Sequence, residues 1–209
     1  LVSSTSGETW TLEGNASIFQ PPVDASGPFG YLAEKASTNL LTYSGAIGGT
    51  NWSNTGGGLN GLNVIAAPDG TVTATKIVTL ATNNVFGEYQ TVTYAAATYT
   101  LSVWGKSGTY DYLCVNLTNG VSGAVFDLSD GSIGFTDSGI TSTIESNPDG
   151  WYRCSVTGLR TAGLSYPEVY LSGSRTANVR AWTPAGTENL YVWGAQLELG
   201  TYPTSYIPT

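Results

Sequence analysis

The 209-residue sequence has no histidine. That absence removes the commonest general base and the commonest transition-metal ligand, so Ser-His-Asp or Cys-His catalysis and His-ligated zinc are excluded within this chain. Charge is scarce too: 11% of residues are Asp, Glu, Lys or Arg, against roughly 25% in an ordinary globular chain. The seven cations are outnumbered by 15 acids and do not cluster, leaving a net charge of −8 and no electrostatic footprint for a nucleic-acid backbone. No apolar run approaches the ~20 residues of a membrane-spanning helix, and LVSSTSGETW has neither the cationic nor the apolar region of a signal peptide. The sequence opens on Leu1 and reads as a fragment. Cys114 and Cys154 are the only cysteines, too few for a disulfide-built scaffold, and are read first as two buried thiols.

What is abundant is hydroxyl and aromatic. The chain carries 29 Thr, 21 Ser, 13 Tyr and 6 Trp, a sheet-forming composition in which neutral polar groups must build the surface. Residues 1–30, interrupted by Pro21, Pro22 and Pro28, read as an N-terminal extended arm or connector with one short strand at most. Residues 31–209 read as a single all-β sandwich. Its expected strands are 31–36, 62–66, 73–80, 86–93, 98–105, 110–117, 121–128, 139–146, 151–159, 166–172, 178–182 and 189–198. The Asp-Gly pairs at 69–70, 130–131 and 149–150 each separate two such segments and are read as turns. The glycine-rich stretch 45–61 reads as a long surface loop that Trp52 either anchors or decorates.

Alternation of side chains assigns faces. Tyr99, Leu101 and Val103, then Leu113, Val115 and Leu117, then Val169 and Leu171 form inward sides. Opposite them, on the polar side, stand Trp104, Tyr110, Tyr112, Asn116, Tyr166, Glu168 and Tyr170. In the last strand Trp193 is read as a core plug, with Gly194 admitting a close neighbour.

GYLAEKASTNLLTYS at 30–44, the C-terminal LYVWGAQLELGTYPTSYIPT at 190–209, and FDLSDGSIG and DGWYRCSV between them carry a family likeness. Together they resemble a domain of tailed-bacteriophage structural proteins, chiefly tail-fibre and receptor-binding polypeptides. The resemblance implies a jelly-roll β-sandwich like that of carbohydrate-binding modules and lectins. It implies a place on the virion, a homo-oligomer with a trimer favoured, other virion proteins as partners, and host-surface carbohydrate as ligand. It brings no catalytic motif and no required cofactor. It also implies a structural calcium between opening and closing strands, for which Glu34, Asn39 and Glu198 are the candidate oxygen ligands.

Sugar rings offer apolar C–H faces flanked by hydroxyls, so a lectin surface needs a flat aromatic beside fixed hydrogen-bonding groups. The set Trp104, Tyr110, Tyr112, Asn116, Tyr166, Glu168 and Tyr170 supplies both and is the expected glycan site. The competing reading makes these rings a second packing face, covered by the N-terminal arm or by a neighbouring subunit. Catalysis would need paired carboxylates, such as Glu88 or Asp111 with Glu168, and the expectation is that the chain is not an enzyme. Two other functions stay open: a purely structural head-decoration or tail-assembly protein, and a carbohydrate-binding appendage of a polysaccharide-degrading enzyme.

Overall fold

The structure, a computed structural model, describes residues 34–56 and 61–209, together with the backbone at 11–12 and 16–17. Residues 1–34 and 35–209 form two separate units. In the first, β1 (Thr11–Leu12) and β2 (Ala16–Ser17) pair antiparallel. The remainder of the expected arm lies outside the described residues, as do positions 31–33 and 57–60.

The second unit runs β3 (Ser53–Thr55), β4 (Gly61–Ile65), β5 (Ala74–Val78), β6 (Gly87–Tyr89), β7 (Val92–Tyr94), β8 (Ala97–Ser107) and β9 (Tyr112–Asn116). It continues with β10 (Gly123–Asp127), β11 (Ser132–Thr136), β12 (Ile140–Asn147), β13 (Trp151–Arg160), β14 (Gly163–Ser165), β15 (Glu168–Leu171) and β16 (Asn189–Leu199). Two six-stranded antiparallel sheets result, sheet I in the order β11-β10-β9-β15-β6-β3 and sheet II in the order β12-β13-β8-β16-β5-β4. The pairings β5 with β16, β6 with β15, β8 with β13 and β9 with β10 are nested first-to-last. Nesting of that kind, with successive pairs alternating between two sheets, is what defines a jelly roll. The remaining strands of the two sheets, β3, β4, β11 and β12, extend the edges.

The core lies between the sheets because each contributes one apolar parity. Tyr99, Leu101 and Val103 of β8 meet Leu113 and Val115 of β9, with Leu117 just beyond, and Val169 and Leu171 of β15, as the alternation requires. Phe126 and Leu190 join them, both fully buried. Cys154 belongs to this core, whereas Cys114 faces the other side of sheet I with Tyr170. Both thiols are free and buried, and burial raises both pKa values far above the ordinary thiol range.

Several expected elements are absent or divided. Residues 34–36 are not strand, 86–93 splits into β6 and β7, and 178–182 contributes only the bridge of Trp182 to Asn84. The glycine-rich stretch supplies the edge strand β3. Trp52 packs against the core and its indole N–H donates to the Tyr43 carbonyl, so it anchors the stretch.

Candidate functional site

The residues on the polar side of the strands do not form one surface. Trp104 stands on the outer face of sheet II, while Tyr112, Asn116, Glu168 and Tyr170 belong to strands of sheet I. These side chains turn away from the inter-sheet core as expected, but they are covered and form no open surface: Trp104 is 7% exposed, Glu168 2%, and Asn116 and Tyr170 0%. Tyr110, Tyr112 and Tyr166 are half-buried. The cover comes from the chain's own later segments.

On sheet I the cover is residues 172–182. Asn178 donates to Asn116 Oδ1 and to Asp137, and accepts from the Tyr170 hydroxyl. Asn116 in turn donates to that hydroxyl at 2.9 Å, and burial raises the Tyr170 pKa far beyond the usual phenol range. Arg180 grips Glu168 with two parallel bonds of 2.8 Å. Hydrogen bonding to Glu168 raises the Arg180 pKa, outweighing burial. Trp182 stacks on Tyr110 at 5.2 Å, and Tyr110 donates to the Ser172 carbonyl. Both rings pack against the inter-sheet core, so Tyr110, contrary to expectation, does not join the outer side. Burial, then the neighbouring Tyr112 and carboxylates, pushes the Tyr110 phenol up to about 12.

On sheet II the cover is the C-terminal segment. Tyr206 lies 5.5 Å edge-on from Trp104 and 4.6 Å from Trp193. Arg153 donates to the Thr204 carbonyl and sits 4.5 Å over the Trp104 ring. Trp193 therefore fills an outer cluster with Trp104 and Trp151, not the core between the sheets. The cause is a β-bulge between Trp193 and Gln196, where Gly194 takes φ +66°. It shifts the side-chain parity of β16, so Tyr191 and Trp193 face out while Ala195 and Leu197 face in.

The oxygen ligands expected for calcium are committed to protein donors. Asn39 Oδ1 accepts the backbone N–H of Leu41 and Leu197, and its amide donates to the carbonyls of Ala195 and Ile207. Glu198 accepts from Gln196 Nε2, from the Thr204 N–H and from the Thr204 hydroxyl. Glu34 is exposed. Ca²⁺ needs six to eight free oxygens. Asn39 and Glu198 do not fit it, and no cluster of three acidic, Cys or His ligands occurs among the described residues.

Of the carboxylate pairs weighed for catalysis, Glu88 and Glu168 separate. Glu88 pairs with Val169 and Tyr89 with Glu168 across β6 and β15, so Glu88 and Glu168 point to opposite faces of sheet I.

Among the described residues, two clefts bear on the site. The smaller, of about 180 Å³, lies on sheet I beside Thr55, Tyr89, Asn119, Tyr166 and Arg180. It keeps one expected site residue, Tyr166, whose ring meets Tyr89 edge-on at 5.5 Å. The larger, of about 420 Å³, lies on sheet II, and Ala67, Lys106, Asn147, Asp149, Trp151 and Tyr191 are among its lining residues.

Local sequence builds the walls of the larger cleft. On one side, the turn at 67–71 closes through Gly70 N–H to the Ala67 carbonyl, and Asp69 Oδ1 accepts both the N–H and the hydroxyl of Thr71. On the other, Asp149 and Gly150 take φ +61° and +76° between β12 and β13, values that an Asp-Gly pair tolerates. Trp151 fastens the first wall to the sheet by donating its indole N–H to the Ala66 carbonyl at 3.2 Å. Lys106 fastens the second by donating to the Asp149 carbonyl. The floor is a row set by strand register, in which Trp151 opposes Lys106 and Lys106 opposes Tyr191; Lys76 continues the row opposite Tyr191, beyond the cleft lining. Sequence reading found both turns but passed over this row. The bulge at Gly194 hid the outward direction of Tyr191, and cross-strand neighbours are set by long-range pairing.

No protein-family model matches the chain, and no curated protein matches it.

Proposed function

We propose that this chain is a non-catalytic jelly-roll module of a phage virion surface or tail fibre that binds host-surface glycans, and that the larger cleft on sheet II is the binding site. One observation carries the reading. A half-buried phenol ring, Tyr191, lies beside an ammonium and an amide in a concavity held between two hydrogen-bonded turns. Rigid walls reduce the entropy lost on binding. An aromatic ring takes the C–H face of a sugar, and Lys106 and Asn147 supply directional bonds to its oxygens. The virion setting and a homo-oligomeric fibre, trimeric for preference, come from the resemblance of 30–44 and 190–209 to tail-fibre domains. In such an array, weak single sites gain avidity without new contacts.

The test is a glycan array and host-cell binding with the purified protein. Tyr191→Ala is expected to abolish retention while Tyr166→Ala, in the smaller cleft, leaves it intact. Unchanged binding by Tyr191→Ala would remove the cleft from the proposal. A structural role is the second reading, favoured by Leu159 and Leu164, which are 70% and 62% exposed. A stable oligomer dispersed by Leu159→Lys, with no glycan retained, would decide for it.

A further inference from the structure

We infer that the cleft on sheet II selects acidic saccharides, with Lys106 in its lining and Lys76 just across the Tyr191 ring reading sugar carboxylates; this rests on the glycan-binding reading proposed above.

The register places the two lysines symmetrically. Lys106 on β8 and Lys76 on β5 each pair directly with Tyr191 on β16. Directly opposed residues share a face, so both stems rise beside the Tyr191 ring. Strands lie about 4.8 Å apart, which sets the two lysine backbones about 10 Å from each other. That spacing suits anionic groups on successive or alternate sugars of one strand of polysaccharide.

The charge context is unusual. The protein carries −8 overall and only seven cations. Among the described residues, the ion pairs engage Arg175 with Asp127 and Asp130, and Arg180 with Glu168. Among the described residues, neither Lys76 nor Lys106 has a carboxylate within 4.0 Å. Lys106 gives one hydrogen bond, to the Asp149 carbonyl, and an ammonium has three donors. The carbonyl bond fixes the head group at the cleft wall and leaves N–H groups for a ligand. Of the turn acids, Asp69 on the opposite wall directs Oδ1 at Thr71, and Asp149 lines the cleft and holds Lys106 through its carbonyl. To the hydrogen bond that a neutral hydroxyl also accepts, an anion adds Coulomb attraction to the ammonium. A carboxylate therefore gains more here than the hydroxymethyl group that replaces it in a neutral sugar.

Cellobiose and cellobiouronic acid differ in this one group and make the test, by titration calorimetry or NMR with the full chain. The acid is expected to bind about tenfold tighter or more, the size of one charge-assisted hydrogen bond. Its advantage should shrink in Lys106→Gln and in Lys76→Gln, return in Lys106→Arg, and fall with added salt. Circular dichroism confirms that each variant is folded. Equal affinity for the two sugars would overturn acidic selection and leave the glycan-binding reading standing. Absence of binding by either sugar, with no acidic or neutral glycan retained on the array, would overturn both. An acid preference unchanged in both glutamine variants would overturn the assignment to these lysines.

Discussion

Replacing Asn39 by Ala tests how the two ends of the jelly roll are joined. The side chain is 5% exposed and uses its whole capacity: two acceptor bonds at 3.1 and 3.0 Å and two donor bonds at 3.0 and 3.1 Å. Its partners, at Leu41, Ala195, Leu197 and Ile207, lie 2 to 168 positions away in sequence. Alanine would strand two backbone N–H groups on residues that are 0–1% exposed, Leu197 and Leu41. Each stranded buried donor costs about 1–3 kcal/mol. Allowing for partial relaxation, a loss of about 3–5 kcal/mol follows, or a fall in Tm of about 10 °C in a domain this size. Urea denaturation should show the midpoint falling at constant slope. Asn39→Asp should be nearly as damaging, since it keeps an acceptor but turns a carboxylate toward two carbonyls. A loss below about 1 kcal/mol would refute the accounting. So would a wild-type Tm that rises with Ca²⁺ and ceases to do so in Asn39→Ala, for that would restore the residue as a metal ligand.

Two further outcomes follow from buried or bonded charge. Burial works to raise the Glu188 pKa, but the N–H groups of Ala185, Gly186 and Thr187 and the Thr79 hydroxyl outweigh it and hold the carboxyl at about 2, below its usual 4.5. A depressed carboxylate pKa stabilises the fold above the unfolded value and loses that contribution as pH falls. Acid titration of stability should show a decline between about 4.5 and 2 that Glu188→Gln flattens, and an unchanged profile would contradict the assignment. Removing Arg180 leaves Glu168, 1% exposed at its side chain, without its partner. Arg180→Ala should then cost about 3–5 kcal/mol, whereas the paired change Arg180→Met with Glu168→Leu costs much less. A double variant no more stable than the single one would refute this.

The inter-sheet core was legible because it depends on a local rule. Every β8, β9 and β15 residue assigned inward by alternation lies in it. Asp-Gly turns were legible for the same reason, and two of the three wall the larger cleft. What failed was non-local. A single bulge at Gly194 reverses parity in β16, and an alternating pattern gives no sign of one extra residue. The polar sides of β9, β15 and β8 looked free because the segments covering them, 172–182 and 200–209, have no periodicity of their own. They are held by side-chain bonds such as Asn178 to Asn116 and Arg153 to Thr204, which become visible only once distant strands are adjacent. β3 escaped notice within a glycine-rich stretch because an edge strand of three residues needs little β-propensity when its partner is already in place.

The same coverings explain the scarcity of charge. A sandwich with two solvated outer faces can carry Lys and Glu on alternate positions, but a face over which the chain folds back cannot, because a buried charge needs a partner. Here the outer parity is occupied by groups that satisfy one another without net charge: Thr100 with Thr157, Thr143 with Ser155, Asn116 with Tyr170 and Asn178. Where charges do enter covered ground each is bonded: Glu168 and Asp127 meet an arginine at 2.8 Å, and Glu198 takes the donors of Gln196 and Thr204. Against that pattern the row of Lys106, Tyr191 and Lys76 is the exception. It places two ammonium groups, neither in an ion pair among the described residues, on either side of one ring. The repulsion between like charges on either side of a shared ring falls when an anion joins them, which is the state proposed for the cleft lined by Lys106 and Tyr191.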